Sequence, residues 1–523
     1  MNLNKEQQSV VDSNSSRLLC LAGAGTGKTH VMLSCIDSII GGGISPDSIL
    51  ALTFTNAAAR EMLNRFKRNH KDLRSTPRFC TFHAFCYQLI ASDIDVRSTL
   101  GYSRVPMICS DATLKRFYTE AEQATGISSK LLEVSNIETK ITLLDKKNHE
   151  ILLRYIKKKL IENNFITFDI MCNDVCKIFE TDNDISNRYH DMYKYIFVDE
   201  FQDTDENQWR FVESFNNSKI MVVGDTLQNL YSFRGTTNAI IKSLCTDDAW
   251  EIHRLTMNYR SDKTIVEYAN NFSKYADSNY RVVMECCNAG GTVIDMHYNT
   301  FDEQNNCILN SIDKNVDTAI LARTNKEVYH IQKMLTDHGI EFKNNHTTPN
   351  SIGIDLCKSI EDLDYAADWI SSLLSKDNYN SYLRECLIID DIKDRIRLIP
   401  KYADNNKSVL NIYHHFKYLY KMYSDNDIDK IIKYLVYDIH TSSRILSDCN
   451  TISDIIETLE TNSDDSKSIY VGTVHSVKGL EFDNVIVTGV NSKSFTLDTE
   501  EQNNVFYVAV TRAKHKLTVL WKN

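Results

Sequence analysis

The sequence predicts an α/β protein with two cores of parallel sheet, each carrying a mainly helical insertion. Three observations carry that expectation. Short apolar, β-branched runs bounded by turn residues alternate with helix-like stretches, in two separate groups along the chain. Two long intervening stretches lack this strand rhythm. A Gly-rich loop joins the first apolar run to the first helix, the local arrangement of a phosphate-binding sheet.

In the first group, strands are expected at Leu18 to Leu21, Ile49 to Thr55, Tyr195 to Val198 and Ile220 to Val223. These runs are apolar nearly throughout, as strands covered on both faces must be. Helices are expected between them at Thr29 to Ile40 and Asn56 to Phe66. The second group comprises Thr318 to Ala322, Ser468 to Val474, Val485 to Val490 and Leu517 to Trp521. The stretches Ala91 to Asn187 and Pro349 to Asp465 read as helical, with amphipathic segments such as Tyr413 to Tyr423. The resulting division is 1–90 with 188–253 as the first core and 91–187 as its insertion. The second core takes 254–348 with 466–523, and 349–465 forms its short insertion.

Composition bounds the function. The 523 residues suggest roughly three or four domains at about 150 residues each. A 42% hydrophobic, 25% charged chain with only 5 prolines and 17 glycines is globular rather than disordered. The 14 cysteines form no short even framework and no CxxC, so neither disulfides nor a zinc site is expected. Met1 to Val10 is polar and no apolar run approaches the ~20 residues of a membrane helix, so no membrane partner is expected. A reducing intracellular compartment follows, cytoplasmic in the first instance, with a nuclear location left open.

The net charge of −11 excludes an all-basic nucleic-acid coat but leaves room for a local track. Between Ala57 and Phe79 lie Arg60, Arg65, Lys67, Arg68, Lys71, Arg74 and Arg78, against only Glu61 and Asp72. A second cluster holds Lys146, Lys147, Arg154, Lys157, Lys158 and Lys159. Ser351 to Lys467 has 14 basic and 21 acidic residues, a net of −7. Either basic cluster alone is equally a solvated helix face, so charge proposes a nucleic-acid partner without establishing one.

The chemistry begins at Ala22-Gly23-Ala24-Gly25-Thr26-Gly27-Lys28-Thr29. Small residues let backbone N–H groups wrap phosphates at a helix N-terminus. Lys28 would reach the β- and γ-phosphates, and the Thr29 hydroxyl would ligate Mg²⁺. Alone, the loop says only that the chain binds and hydrolyses a nucleoside triphosphate. The strand ending at Val198 runs into Asp199-Glu200-Phe201-Gln202-Asp203. Asp199 could hold the Mg²⁺ shell while Glu200 polarises the attacking water.

With these residues and the motifs around them, the chain resembles superfamily 1A helicases of the UvrD/Rep type. Leu3-Asn4-Lys5-Glu6-Gln7 is similar to the family's adenine-reading motif, which implies that Gln7 reads the base. Leu52 to Met62 resembles motif Ia, Thr81 to Phe85 motif Ib, and Gly224 to Gly235 motif III. Leu255 to Ser261 resembles motif IV, Thr473 to Phe482 motif V, and Tyr507 to Lys514 motif VI. All stand in family order. The resemblance implies two RecA-like cores, ATP and Mg²⁺ as cofactors, and 3′→5′ movement on single-stranded DNA with opening of tailed duplex. By the same resemblance Tyr259 stacks on adenine, Glu481 contacts the ribose, Gln228 senses the γ-phosphate, and Arg260 and Arg512 neutralise it. Catalysis then falls to Lys28, Asp199, Glu200, Gln228, Arg260 and Arg512. The strand would meet Phe54, His83, Tyr231, Phe233, Arg234 and His475, with Phe54, Tyr231 and Phe233 as stacking platforms. A buried core role is the competing reading of those aromatic rings.

Departures from the family pattern stand out. His30 occupies the place of an Arg beside the base, Ala57 replaces a Lys, and Asn229-Leu230 replaces Ser-Ile. The acidic second insertion is a poor phosphate surface. Two other functions compete with this one: the helicase subunit of a helicase–nuclease complex, and a non-catalytic P-loop scaffold. No nuclease domain is expected in the nine residues after Lys514, so a nuclease or a replication or repair protein would act in trans. The full set of charged motif residues speaks against the scaffold.

Overall fold

The computed structural model describes residues 3–70, 73, 75–109, 111–128, 143–230, 238–273, 280–342, 356–360, 363–374, 382, 392–403, 407–424, 427–437, 451, 455–456 and 469–523. The early strands are β1 (Arg17–Ala22), β2 (Ile49–Thr53), β3 (Arg78–Thr81), β4 (Met107–Ile108), β5 (Phe165–Ile166), β6 (Tyr195–Val198), β7 (Lys219–Gly224) and β8 (Glu251–Leu255). They are followed by β9 (Met257–Asn258), β10 (Glu285–Cys286), β11 (Thr292–Tyr298), β12 (Thr318–Ala322), β13 (Ile469–Thr473), β14 (Phe482–Val490) and β15 (Ala513–Lys522). The chain divides into two compact units. One holds Met1–Cys307, Leu321–Arg323 and Thr473–Asn523; the other holds Ile308–Ile320 and Thr324–Gly472.

The first unit contains a six-stranded sheet of order β3-β2-β6-β7-β1-β8, parallel at every pairing. Period-two alternation sends its side chains into two separate cores. Leu19, Leu21, Leu50, Leu52, Ile220 and Val222 face one helical layer, with Phe85, Phe179 and Phe211. Leu18, Cys20, Ile49, Ala51, Met221 and Val223 face the other, with Val31, Ile36, Met62 and Phe66. Burial on both faces explains why these strands read as unbroken apolar runs. A second parallel array in this unit joins β11 to β15 and β15 to β14. The α/β class expected from the sequence is therefore present, with parallel sheets.

Of the first four helices, α1 (Lys5–Val11), α2 (Lys28–Gly41) and α3 (Asn56–Asn69) contribute to the core on one face of this sheet and α4 (Phe82–Ser92) to that on the other. The run expected as strand to Thr55 stops at Thr53, because Thr55 is the N-cap of α3 and accepts from the Ala58 N–H. Between α4 and β6 the chain is mainly helical, as expected, around Phe117, Leu152, Ile156 and Leu160. It also holds a short parallel pair, β4 with β5, that the sequence did not announce.

In the second unit, helices Leu363–Ser372, Ile392–Tyr402, Lys407–Ser424 and Ile428–Tyr437 pack around Ile399, Phe416, Leu419 and Ile431. The amphipathic segment Tyr413 to Tyr423 lies inside Lys407–Ser424. Among the described residues, no helix is long and apolar enough to cross a membrane.

Candidate nucleotide site

The site is built at the carboxyl ends of three adjacent parallel strands, β6, β7 and β1, where an α/β sheet presents its binding crevice. From β1 the chain turns through the Gly-rich loop into α2. Gly25 and Gly27 have φ of +69° and +89°, a region that side chains other than glycine's rarely adopt. A Cβ on Gly25 would stand 2.7 Å from the Cβ of Arg260, so the loop also needs the space. Thr26 Oγ1 closes the turn by donating to the Gly23 carbonyl at 2.8 Å. Lys28 follows, buried in the first turn of α2.

α1 brings Gln7 to the same loop. Asn4 and Gln7 form a reciprocal capping box at the start of α1. That fixes the Gln7 side chain, whose Nε2 donates to the Thr26 carbonyl at 3.1 Å. Asn4 Nδ2 in turn donates to the Tyr259 hydroxyl at 2.7 Å, and the Tyr259 ring is 45% exposed. Tyr259 and Asn258 are tied to the loop itself: Tyr259 N–H donates to Gly25 O, and Asn258 Nδ2 to Ala24 O at 2.7 Å.

The carboxylates leave β6 through a strained turn. Glu200 has φ 51° and ψ 44°, left-handed for a residue with a side chain, and a 3₁₀ turn over Phe201–Asp203 follows. Thr29 Oγ1 donates to Asp199 Oδ2 at 3.2 Å, so hydroxyl and carboxylate already face one another. The other oxygen, Asp199 Oδ1, is buried with no hydrogen-bond partner. A buried carboxylate oxygen left unsatisfied beside a hydroxyl fits an Mg²⁺ shell held by Thr29 and Asp199.

Burial and the neighbouring charge of Glu200 push the Asp199 carboxyl up. Burial also opposes ionisation of Glu200, but Lys28, Lys478 and the Gln202 amide outweigh it and hold Glu200 below the usual carboxylate range. Gln202 ties the strands together, donating to Glu200 while its Oε1 accepts from the Asp225 N–H at 2.9 Å.

Beyond β7, Gln228 Nε2 donates to Asp225 Oδ2 at 2.8 Å, and Arg512 Nη2 donates to Gln228 Oε1 at 3.3 Å. Arg512 is fully buried, and its other donors reach the carbonyls of Val508 and Leu480. Lys478 Nζ donates to the buried Asp203 carboxylate and, at 2.9 Å, to the Gln228 carbonyl. Arg260 Nε donates to Glu481 Oε2 at 2.7 Å, and Lys514 Nζ pairs with the same carboxylate at 3.0 Å. Gln7, Lys28, Thr29, Asp199, Glu200, Gln228, Tyr259, Arg260, Glu481 and Arg512 thus belong to one connected group.

Residues 3–248 match the model of the UvrD/REP helicase N-terminal domain. Residues 253–348 and 366–523 match that of the UvrD-like helicase C-terminal domain. The chain belongs to the UvrD/Rep family of helicases. A probable DNA helicase II homolog of Mycoplasma capricolum is 26% identical over 98% of this chain and 83% of the relative. A similarly described protein of Mycoplasma genitalium is 23% identical, over 99% and 84%. The ATP-dependent DNA helicase PcrA of Staphylococcus epidermidis is 24% identical, over 99% and 83%. The parallel sheets are accordingly the RecA-like cores of a UvrD/Rep-type helicase.

Several residues of this UvrD/Rep site carry weight that the sequence did not reveal. Gln202, Asp203, Asp225, Asn258 and Lys478 sit inside recognised motifs, but their pairings join positions up to 275 residues apart. His30, at the departure beside the base, keeps Nε2 buried without a hydrogen bond, and burial lowers its basicity. Of the expected strand contacts, Phe54 and His475 are half-buried. His83 is also half-buried and meets the Phe168 ring edge-on at 5.2 Å, where a hydrogen bond with Cys172 raises its basicity. Tyr231, Phe233 and Arg234 lie outside the described residues.

Proposed function

We propose that the chain is an ATP-driven DNA helicase that moves 3′→5′ along single-stranded DNA and unwinds duplex, serving DNA replication, repair or recombination. The observation that carries this reading is the hydrogen-bonded chain Arg512–Gln228–Asp225 beside Lys28, Thr29, Asp199 and Glu200. Such a chain gives residues 508–514 a direct link to the phosphate site. The relatives, a probable DNA helicase II homolog and an ATP-dependent DNA helicase, support ATP dependence and DNA as substrate. Four segments, divided as the sequence suggests, and a reducing intracellular setting belong to the same proposal.

Each side chain has a role in this chemistry. The Gly-rich loop and Lys28 bind the phosphates and neutralise charge that spreads over the equatorial oxygens in the transition state. Thr29 and Asp199 would hold Mg²⁺, whose charge supplements that of Lys28. Glu200, kept ionised by Lys28 and Lys478, accepts the proton of the water that attacks the γ-phosphorus. Arg512 and Arg260 supply further positive charge, Arg260 by exchanging Glu481 for phosphate. Gln228 changes partners when the γ-phosphate leaves, and differential affinity of the two nucleotide states for strand-bound conformations drives stepping.

Polarity is the decisive test. With ATP and Mg²⁺, a 3′-tailed duplex should open and a 5′-tailed duplex should not. Preferential opening of the 5′-tailed substrate would overturn the direction, and ATP hydrolysis indifferent to single strands would overturn the motor.

A further inference from the structure

We propose that an open groove on the second unit, built on helix Lys407–Ser424, is a second binding site for single-stranded nucleic acid, with bases held by tyrosine rings and phosphates by lysines. The groove, of about 960 Å³, is lined by His414, His415, Lys417, Tyr418, Lys421 and Tyr434 among others. His414, Lys417, Tyr418 and Lys421 recur at helical spacing and form one face. That face is wet, with Tyr418 52% exposed. The opposite face carries the apolar work, with Tyr413, Phe416 and Leu419 in the helical core. His414, Lys417, Tyr418 and Lys421 therefore lie outside that core, whereas Tyr434 is half-buried and packs against it.

Charge and ring chemistry identify the ligand. Within Lys407–Ser424 there are three lysines and no acidic residue, inside a stretch whose net charge is −7. Neither Lys417 nor Lys421 is ion-paired among the described residues. The nearest described carboxylate along the chain, Asp427, is already paired with Lys430. Positive charge thus stands exposed where the surrounding composition would have removed it. Tyr434, from the following helix, lies beside Tyr418 with ring centroids 4.8 Å apart, and His415 Nδ1 fixes the Tyr434 hydroxyl at 2.6 Å. Rings held side by side next to exposed ammonium groups are the parts of a strand-binding surface: π-faces for bases, cations for phosphates. Stacking needs unpaired bases, which excludes duplex as the preferred ligand. An acidic protein segment would use the lysines but would gain little from the rings.

This site does not rest on ATP turnover. The test uses the full chain and an oligothymidylate carrying photoreactive 5-iodouracil, with crosslinked peptides mapped after proteolysis. Crosslinks are expected at Tyr418 or Tyr434, in addition to any on the first unit. Tyr418→Ala should lower the groove crosslink at least about fivefold, the lower end for one lost stack. Tyr418→Trp should restore it, and Lys417→Glu/Lys421→Glu should abolish it without altering the melting temperature or strand-independent ATP hydrolysis. Unlabelled oligothymidylate should compete, whereas blunt duplex and polyglutamate should not. Crosslinks confined to the first unit would overturn the groove while leaving the helicase reading intact. Competition by polyglutamate at equal charge would instead make it a protein-docking surface, and competition by blunt duplex would assign it to double strands.

Discussion

Asp199 and Glu200 are adjacent in sequence and are driven in opposite directions by their surroundings. Burial and the neighbouring carboxylate favour the proton on Asp199, while Lys28 and Lys478 keep it off Glu200. The base is thereby separated from the residue suited to a cation. Glu200→Gln should therefore retain ATP binding and lose nearly all turnover, because an amide cannot accept the water's proton. Single-turnover hydrolysis beside a nucleotide-binding titration reads both, and wild-type turnover would move the base elsewhere. Asp203 offers a test on stability. Burial, only partly offset by Lys478, lifts its carboxyl to about 6. A carboxyl raised in the fold stabilises below its ordinary value near 4, and that contribution is lost as pH rises through about 6. Asp203→Asn has no such dependence. The wild type's advantage in melting temperature should therefore shrink between about pH 4 and pH 7. An advantage that grows with pH would mean that the Lys478 pair outweighs burial.

At the scale of elements, legibility followed burial. The central strands were visible because both faces are covered: β2 is buried at all five positions and was read from Ile49 onward. Three edge strands were not, whereas the edge strand β13, buried at four of its five positions, was read from its apolar run. β8 pairs only with β1 and carries Glu251, His253 and Arg254 at exposed or half-buried positions, so no apolar run marks it. β3 and β11 were missed for the same reason. Helix α3 was legible in place and start, but its far end shows what the basic count could not. Arg65 is tied to Glu61 on the helix surface, and Arg78 packs over the Phe85 ring at 5.0 Å. Lys67 and Arg68, in the last turn, are exposed, have no carboxylate partner among the described residues, and are the better phosphate contacts. Replacing either with Ala should reduce the salt dependence of strand binding by about 0.7 in log–log slope, one phosphate on a single strand. Arg65→Ala should change it less, since its charge is already partly neutralised. Equal slopes for all three variants would show that the strand does not run along this turn.

For the whole molecule, the site was legible as a set of motifs but not as a network. The loop, the Asp199-Glu200 pair and the order of motifs could be read directly because each depends on local spacing. The pairings Lys478 to Asp203 and Arg512 to Gln228 could not, because they arise only when β6, β7 and the segments around β14 and β15 fold together. Those long-range bonds also place every described nucleotide-site residue in the unit that holds both chain ends, while Lys407–Ser424 and Ile428–Tyr437 belong to the other. Nucleotide binding should consequently act on one unit and not on the other. At about one hundred times its Kd, a ligand that binds only the folded state adds about 2.7 kcal/mol to the stability of what it binds. Hydrogen exchange with a non-hydrolysable ATP analogue and Mg²⁺ should slow amides in α1, the Gly-rich loop, β6 to β7 and residues 473–482. The two helices of the second unit should exchange at unchanged rates. Equal protection of Lys407–Ser424 would show that nucleotide binding is felt across the division between the units.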